Sequence, residues 1–132
     1  RRETTYGAYL LACYNKQTQN YESITKVGSG FTQEELHMQW NTFKKLRITS
    51  PLNNYLLPKT DLPNHFFKPV FEITGAELTL SNKYSAARDL VRKHAAFSIR
   101  APRFFRQRDD KSPKQATSTQ QLIQMYQNIK YL

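Results

Sequence analysis

The stretch YGAYLLACYN (residues 6–15), followed by KQTQN (16–20) and YESITKV (21–27), sets the fold class of this chain. The first and third segments are rich in aromatic and aliphatic residues and alternate loosely with polar ones, as β-strands do. The polar segment between them predicts a turn. Residues 6–27 therefore predict an antiparallel β-hairpin.

An α-helix is predicted after the hairpin. The segment GSG interrupts the second strand, and FTQEELHMQWNTFKKLRI (31–48) then repeats its apolar residues at helical spacing. Thr32 and Glu35 have the spacing of a capping box, in which each side chain accepts a hydrogen bond from the other residue's backbone N–H. The predicted buried stripe of this helix consists of Leu36, Trp40 and Phe43.

A second helix is predicted at the end of the sequence. The segment ATSTQQLIQMYQNIKYL (116–132) begins with Ser118 and Gln121, another pair at capping-box spacing. Helical periodicity continues beyond this pair and indicates that one face is buried. The predicted buried stripe consists of Leu122, Tyr126 and Ile129.

The segments between the helices predict one loop and two strands. Residues 50–69 contain four prolines and predict a long loop, which in a compact domain is often functional or packed over a sheet edge. VFEITGAELTLS (70–81) predicts a third strand, whereas residues 82–95 fit either a short helix or an ordered loop. FSIRAPRFFRQR (97–108) predicts a fourth strand, bent or bulged at Pro102, because proline disrupts a helix interior.

The predicted order is strand, strand, helix, strand, strand, helix, and it indicates a mostly-β fold. An OB-fold is a five-stranded Greek-key barrel with a helix between strands, and here a C-terminal helix is added. Because only four strands are recognisable, we expect the first barrel strand to lie upstream of Arg1, in a longer protein. We expect a single domain over residues 1–132, with the barrel in 1–115 and the C-terminal helix in 116–132.

Composition limits the functional classes. The 132 residues carry a formal net charge of +10, and such a field attracts nucleic acid or another anionic partner. A membrane protein is not expected, because no apolar run is long enough to span a bilayer. Cys13 is the single cysteine; it excludes an internal disulfide, and its apolar strand predicts a buried, reduced thiol.

The usual patterns of catalytic and metal-binding residues are not recognisable. The three histidines are far apart in sequence and show no metal-ligand spacing with Cys13, so no metal site is predicted. Glu72 and Glu77 fall on opposite faces of the predicted strand 70–81, which excludes them as an acid/base pair. No residue of this chain is therefore predicted to be catalytic.

The strongest functional signal is SIRAPRFFRQRDDK (98–111), which carries five basic side chains against two aspartates. A solvated strand edge explains some of these charges, since charged edges discourage aggregation. Five cations exceed that need, and the planar guanidinium of arginine donates two hydrogen bonds to one phosphate. The stretch therefore predicts a site for nucleotide phosphates or for a nucleic-acid backbone.

Several blocks resemble one known family. GAYLLACYN, KVGSGFTQEEL, VFEITGAELTLS, SIRAPRFFRQRDDK and QAT occur in the order found in the C-terminal OB domain of eukaryotic ATP-dependent DNA ligases. GSGFTQEEL and YSAARDLV look closer to the replicative type-one branch. The resemblance covers nearly the whole chain, and residues 106–111 (RQRDDK) are similar to the family's last nucleotidyltransferase motif.

The resemblance implies a three-step reaction of an intact ligase. A lysine in a separate nucleotidyltransferase domain takes AMP from ATP, AMP passes to the 5′-phosphate of a nick, and the 3′-hydroxyl seals the strand. Arg106, Arg108 and Lys111 would stabilise and align the departing pyrophosphate, while Asp110 would orient Arg108 or Lys111. ATP and Mg²⁺ would belong to the intact enzyme, and this fragment alone would bind neither.

The family's OB domain also turns over during the reaction cycle and presents another face to DNA. That face grips the minor groove opposite the nick, largely through the backbone. Its candidate contacts in this chain are Arg100, Arg103 and Lys26.

One residue departs from the family pattern. The family commonly has Arg-Phe-Pro where residues 100–102 are Arg-Ala-Pro. Its aromatic residue is expected to wedge into the minor groove, and Ala101 cannot do so. Either the DNA is distorted less, or the position has been altered, or Phe104 or Phe105 takes the place of the missing aromatic.

The sequence KTDL (59–62) comes near the family's Lys-x-Asp-Gly motif but ends in leucine. Lys59 is also in the wrong place for the family order, so we expect an exposed loop residue and no lysine–AMP adduct on this chain alone. The implied partners are nicked duplex DNA and the nucleotidyltransferase domain of the same protein. A nuclear monomer without membrane contact is expected.

Two alternative functions are open at this point. A stand-alone OB module without enzymatic activity would bind single strands through a basic groove and stacking aromatics, for which the candidates are Tyr6, Tyr9, Tyr14 and Tyr21. The OB domain of an RNA-capping guanylyltransferase carries a similar basic motif, although GAELTLS and YSAARDLV favour the DNA ligases. A preference for single strands over nicked duplex would indicate the stand-alone module.

Overall fold

The computed structural model describes residues 6–130 and shows a mostly-β, OB-like domain with two α-helices. In this part of the chain, three small sheets have the strand orders β1-β2-β3, β4-β7 and β5-β6. The elements are β1 (Tyr9–Asn15), β2 (Asn20–Val27), α1 (Gln33–Phe43), β3 (Tyr55–Leu56), β4 (Phe71–Thr74), β5 (Glu77–Ser81), β6 (Ala96–Arg100), β7 (Arg103–Gln107), a 3₁₀ turn (Pro113–Gln115) and α2 (Thr119–Lys130).

Strands β1 and β2 form the predicted antiparallel hairpin. Asn15 pairs with Asn20 at its closed end, and Gln19 takes a left-handed φ of 62° in the turn. The side-chain oxygen of Asn15 accepts hydrogen bonds from the N–H groups of Gln17 at 3.0 Å and Thr18 at 3.1 Å. This side-chain bonding to the following backbone is the reason asparagine favours such turns.

Helix α1 begins with the predicted capping box. The Glu35 N–H donates to Thr32 Oγ1 at 3.0 Å, and the Thr32 N–H donates to Glu35 Oε1 at 2.8 Å. In the predicted stripe, Leu36 and Phe43 are buried and Trp40 is half-buried. The helix ends at Phe43 rather than at residue 48, because residues 44–48 are exposed and bury no face that would hold another turn.

Two of the predicted strands are each divided into two. The stretch 70–81 breaks at Gly75, where a Cβ atom would collide with the Ile99 side chain, and its halves become β4 and β5. The stretch 97–108 breaks at Ala101 and Pro102, and its halves β6 and β7 pair with β5 and β4 respectively. The prediction of one strand over 70–81 is therefore wrong, and Glu72 and Glu77 lie on different strands.

The loop predictions are confirmed more closely. Residues 50–69 contain only the short β3, which adds parallel to β2 and so covers that edge of the hairpin. Residues 82–95 form an ordered loop without a helix. Ala87, Asp89 and His94 take left-handed φ values there, and Asp89 Oδ1 accepts a hydrogen bond from the His94 N–H at 2.6 Å.

Helix α2 has the predicted capping box but a different buried stripe. The Gln121 N–H donates to Ser118 Oγ at 3.0 Å, and the Ser118 N–H donates to Gln121 Oε1 at 2.8 Å. Leu122 is buried and Tyr126 packs on Phe97. Ile129 is 58% exposed, so its predicted burial is wrong, because the contacts of α2 with the core end one turn earlier.

Two clusters form the core, and each anchors one strand of the basic stretch. Phe97 of β6 is fully buried in the first, and Phe104 of β7 is buried in the second, which is largely aromatic. The first cluster consists of Cys13, Ile24, Ala86, Ala87, Phe97 and Leu122, and the second of Tyr9, Val27, Phe43 and Phe104. The basic side chains between and beyond these two phenylalanines are thereby held at fixed places on the surface.

Candidate functional site

Two arginines of the basic stretch meet at one carboxylate oxygen. Arg106 Nε donates to Glu72 Oε1 at 2.8 Å, and Arg108 Nη1 donates to the same oxygen at 3.2 Å. Glu72 lies on β4 directly across from Arg106 on β7. The two guanidinium groups therefore lie side by side on one face, as the alternation along the strand predicts.

A second carboxylate orients Arg108. Its Nε and Nη2 atoms donate to the two oxygens of Asp110 at 2.9 and 2.8 Å, a bidentate pair of the kind that fixes the plane of a guanidinium. The hydrogen bonds from Arg108 lower the pKa of Asp110 to about 2, and those to Asp110 raise the pKa of Arg108. The sequence predicts that Asp110 orients Arg108 or Lys111, and in the structure Asp110 forms hydrogen bonds with Arg108.

Lys111, the third residue predicted to bind phosphate, is held next to Arg108 by the backbone. Its backbone N–H donates to the Arg108 carbonyl at 3.3 Å, which closes a turn that keeps the two residues together. Both side chains line an open groove of about 1170 Å³ with largely apolar walls. Cations at the rim of a groove attract a polyanion and are less screened than on a flat surface, so this arrangement fits a phosphate chain.

Of the three residues predicted to contact DNA, only Arg100 and Arg103 lie at the same turn. Arg100 and Arg103 flank the turn at residues 101–102, and Arg100 Nε donates to Glu77 Oε1 at 2.8 Å. The turn is fixed to the end of the hairpin, because the Phe104 N–H donates to the Ser29 carbonyl at 2.8 Å. Lys26 is exposed on β2 and lines a separate hollow with Asp61.

The aromatic residues near this turn have opposite exposures. Phe104 is 4% exposed and its ring stacks on Phe31 with a centroid distance of 4.2 Å, so it cannot reach a nucleic acid. Phe105 is 58% exposed and lies at an irregularity in the β4–β7 pairing. Bulges of this kind redirect a side chain. Of the two candidates to replace an aromatic at Ala101, only Phe105 is therefore accessible.

The tyrosines of the hairpin do not form an exposed platform. Tyr9 and Tyr14 are buried, and Tyr6 and Tyr21 are half-buried. Tyr9 packs edge-on against Phe71 at 5.0 Å, and Tyr14 packs on Tyr21 at 4.9 Å. These contacts give the rings a structural role in the core and do not support stacking on single-stranded bases.

Lys59 is an exposed loop residue, as predicted. Its backbone N–H donates to the Lys83 carbonyl at 3.1 Å. Close by, Lys83 Nζ donates to Asp61 Oδ2 at 2.8 Å, and this hydrogen bond lowers the pKa of Asp61 and raises that of Lys83. The segment KTDL is thus attached to Lys83, at the start of the loop 82–95.

A buried carboxylate near the hairpin end was not identified from the sequence. Glu22 is 6% exposed, and its oxygens accept hydrogen bonds from Asn15 Nδ2 at 3.0 Å, the Ala87 N–H at 3.1 Å and Thr119 Oγ1 at 2.6 Å. These donors belong to the hairpin, to the loop 82–95 and to the start of α2. The network holds three parts of the fold together, and the only local signal for it is a carboxylate within a predicted strand.

Residues 6–130 contain neither a cluster of metal ligands nor a membrane-spanning helix. No group of three or more His, Cys, Asp or Glu side chains in this range is arranged to hold a metal ion. No helix in the same range is long and apolar enough to cross a bilayer. Cys13 is buried as predicted, and burial raises the pKa of its thiol to about 12.

Comparison with known proteins gives consistent matches. Residues 2–111 match the family described as the C-terminal region of ATP-dependent DNA ligases. The chain is 38% identical to DNA ligase 1 of Dictyostelium discoideum, over 98% of the chain and 11% of that protein. It is 41% identical to DNA ligase 1 of Drosophila melanogaster, over 97% of the chain and 17% of that protein. It is also 38% identical to a DNA ligase of Saccharolobus shibatae, over 96% of the chain and 21% of that protein. The chain thus spans about a tenth to a fifth of the length of these curated relatives.

Proposed function

The chain belongs to the family of ATP-dependent DNA ligase C-terminal regions, and on that premise we propose that it is the OB domain of an intact ligase that seals nicks in duplex DNA. The observation that carries this proposal is the side-by-side arrangement of Arg106 and Arg108 at one oxygen of Glu72. Two oriented guanidinium groups suit the bidentate recognition of phosphate.

In the proposed first step, the nucleotidyltransferase domain of the same protein supplies a lysine. Its nitrogen attacks the α-phosphorus of ATP, a P–N bond forms, the bond to the bridging oxygen of the β-phosphate breaks, and the nitrogen loses a proton. Pyrophosphate leaves with the electron pair of the broken bond. Arg106, Arg108 and Lys111 stabilise the charge that grows on it and align it opposite the lysine, while Asp110 keeps Arg108 in plane.

The next two steps take place on DNA. An oxygen of the 5′-phosphate at the nick displaces the lysine from AMP, and the 3′-hydroxyl then attacks that 5′-phosphorus and releases AMP. In these steps Arg100, Arg103 and Lys26 contact the DNA backbone, which requires the domain to turn from ATP to DNA. Binding through several phosphates weakens steeply with salt.

The proposal also covers the cofactors, the oligomeric state and the cellular location of the intact protein. ATP is a substrate of the intact ligase and Mg²⁺ its metal cofactor, but the described residues contain no cluster of ligands that fits a metal ion. The intact protein is proposed to be a monomer that acts in the nucleus, in DNA replication, repair and recombination. Gel filtration of the purified ligase and imaging of a tagged copy test these two points.

Labelled ATP tests the first step. The intact ligase with Arg106→Ala should form the enzyme–AMP adduct about 100-fold more slowly, the usual cost of removing one donor to a developing charge. Arg92→Ala is the matched control, because Arg92 is an exposed arginine of the loop 82–95. Residues 1–132 alone should take up no covalent label. Wild-type adduct formation by Arg106→Ala would contradict the proposed role.

Binding experiments test the DNA-contacting face. Residues 1–132 should bind nicked duplex more tightly than single strands, and the affinity should fall steeply with salt. Arg103→Ala should weaken binding at low salt and reduce the dependence on salt by about one phosphate contact. A preference for single strands would favour the stand-alone module instead.

A further inference from the structure

We propose that Glu72 is a positioning residue for the first step: it holds Arg106 and Arg108 together so that both meet the departing pyrophosphate. This inference rests on the proposed function, because it acts through the same two arginines. One carboxylate oxygen accepts from both guanidinium groups, at 2.8 and 3.2 Å. The sequence pattern does not indicate this role, because Arg106 and Arg108 lie 34 and 36 residues from Glu72 along the chain.

Two guanidinium groups that meet at one carboxylate oxygen stay together only because that anion lies between them. Cations side by side on a strand repel each other, and each long arginine side chain has several rotamers through which to move away. Asp110 bonds Arg108 but not Arg106, and the contact of Arg106 with the Phe105 ring, 5.9 Å from its centroid, does not bring it toward Arg108. Within residues 6–130, Glu72 is the only carboxylate paired with Arg106, so the convergence of the two arginines depends on it.

Glu72 does not exclude a phosphate from the arginines. A guanidinium carries five N–H groups. Arg106 uses one of them on Glu72, and Arg108 uses one on Glu72 and two on Asp110. Four N–H groups of Arg106 and two of Arg108 are left for another acceptor. The carboxylates and a pyrophosphate can therefore be bound together, with the carboxylates fixing where the remaining donors point.

The location of Glu72 suits a positioning role. It faces Arg106 across the β4–β7 pair, next to the irregularity between Glu72 and Ile73. Its side chain is 37% exposed and that of Arg108 is 24% exposed, so the group lies at the surface where ATP can approach. Backbone pairing on one side and the two arginines on the other fix the carboxylate in place.

The test uses the intact ligase with Glu72→Gln, which keeps the size of the side chain and removes its charge. The adduct should form about 10- to 100-fold more slowly at saturating ATP, as expected for a small misplacement of catalytic groups, with a smaller change in the ATP concentration for half-maximal rate. Sealing of a nick that already carries AMP should proceed at the wild-type rate, which also shows that the variant is folded. The matched control is Asp61→Asn, because Asp61 is an exposed carboxylate with a single cation at 2.8 Å, Lys83.

Each result distinguishes the alternatives. A wild-type rate of adduct formation in Glu72→Gln would overturn the inference, and so would a lower ATP requirement, which would make Glu72 a competitor of phosphate. An equal loss in Asp61→Asn, or an equal loss in the sealing of the adenylylated nick, would show a general effect on the enzyme and would also overturn it. If Arg106→Ala is slow while Glu72→Gln is normal, the inference fails and the proposed function stands. If Arg106→Ala is normal as well, the role proposed for the arginines in the first step also fails.

Discussion

Replacing Glu22 with alanine should remove a large part of the stability of this domain. The Glu22 carboxylate is buried and accepts from Asn15, from the backbone of Ala87 and from Thr119, at distances between 2.6 and 3.1 Å. Alanine leaves all three donors without this acceptor. It also leaves a space where the hairpin, the loop 82–95 and helix α2 meet.

The size of the effect follows from these contacts. A hydrogen bond to a charged group contributes about 1.5–3 kcal/mol, and a buried donor left unsatisfied costs about 1–3 kcal/mol. Part of this loss is offset, because a buried carboxylate no longer has to be desolvated. We expect Glu22→Ala to lower the free energy of unfolding by about 3–5 kcal/mol, against a total of about 5–15 kcal/mol for a domain.

A glutamine at position 22 gives a finer test. Its oxygen can replace the oxygen that accepts from Ala87 and Thr119, but its NH₂ group would then face the NH₂ group of Asn15. Asn15 cannot turn around to accept, because its oxygen already accepts from Gln17, Thr18 and Gln120. Glu22→Gln should therefore cost about 1–3 kcal/mol, the price of one unsatisfied pair.

Urea unfolding of residues 1–132, followed by circular dichroism, measures these differences. The control is Glu77→Ala, which removes an exposed carboxylate with one arginine partner and should change the free energy of unfolding by less than about 1 kcal/mol. If Glu22→Ala cost no more than Glu77→Ala, with an unchanged slope against urea, the buried network would not hold the three parts together.

Three further outcomes are expected. Phe105→Ala should weaken binding of residues 1–132 to nicked duplex by about 1–3 kcal/mol, the value of stacking one base on an aromatic ring; unchanged affinity in a titration would show that the exposed ring is not used. Cys13, with its pKa near 12, should react with a thiol reagent at pH 8 at least about 100-fold more slowly in the native state than in urea; equal rates would mean that the thiol is not protected. Ala101→Gly should raise the free energy of unfolding by about 0.5–1 kcal/mol, because Ala101 has a left-handed φ of 54°; a lower melting temperature would contradict this.

The features predicted correctly from the sequence are those set by near neighbours. Both capping boxes form as predicted, because Thr32 and Glu35, like Ser118 and Gln121, are three residues apart and need no other part of the fold. The turn of the hairpin is also local. The place of the bend at Pro102 is predicted by the missing N–H and fixed φ of proline, but the prediction of a single strand over 97–108 is wrong, because its halves belong to different sheets.

The features that the sequence did not predict depend on distant parts of the chain. The break at Gly75 arises from the close approach of Ile99. The role of Glu72 depends on the register between β4 and β7, and Glu22 reaches a helix that begins near the other end of the chain. Local periodicity carries no information about these contacts, so the basic cluster was identified but the carboxylate that joins its arginines was not.

We propose that Arg108 acts on pyrophosphate in the first step and not in the sealing of the nick. The most direct measurement compares two half-reactions of the intact ligase with Arg108→Lys, which keeps the charge and removes the bidentate fork. The prediction is that formation of the enzyme–AMP adduct falls by about 100-fold, while a nick that already carries AMP is sealed at nearly the wild-type rate. Equal losses in both half-reactions, or a wild-type rate of adduct formation, would contradict the account.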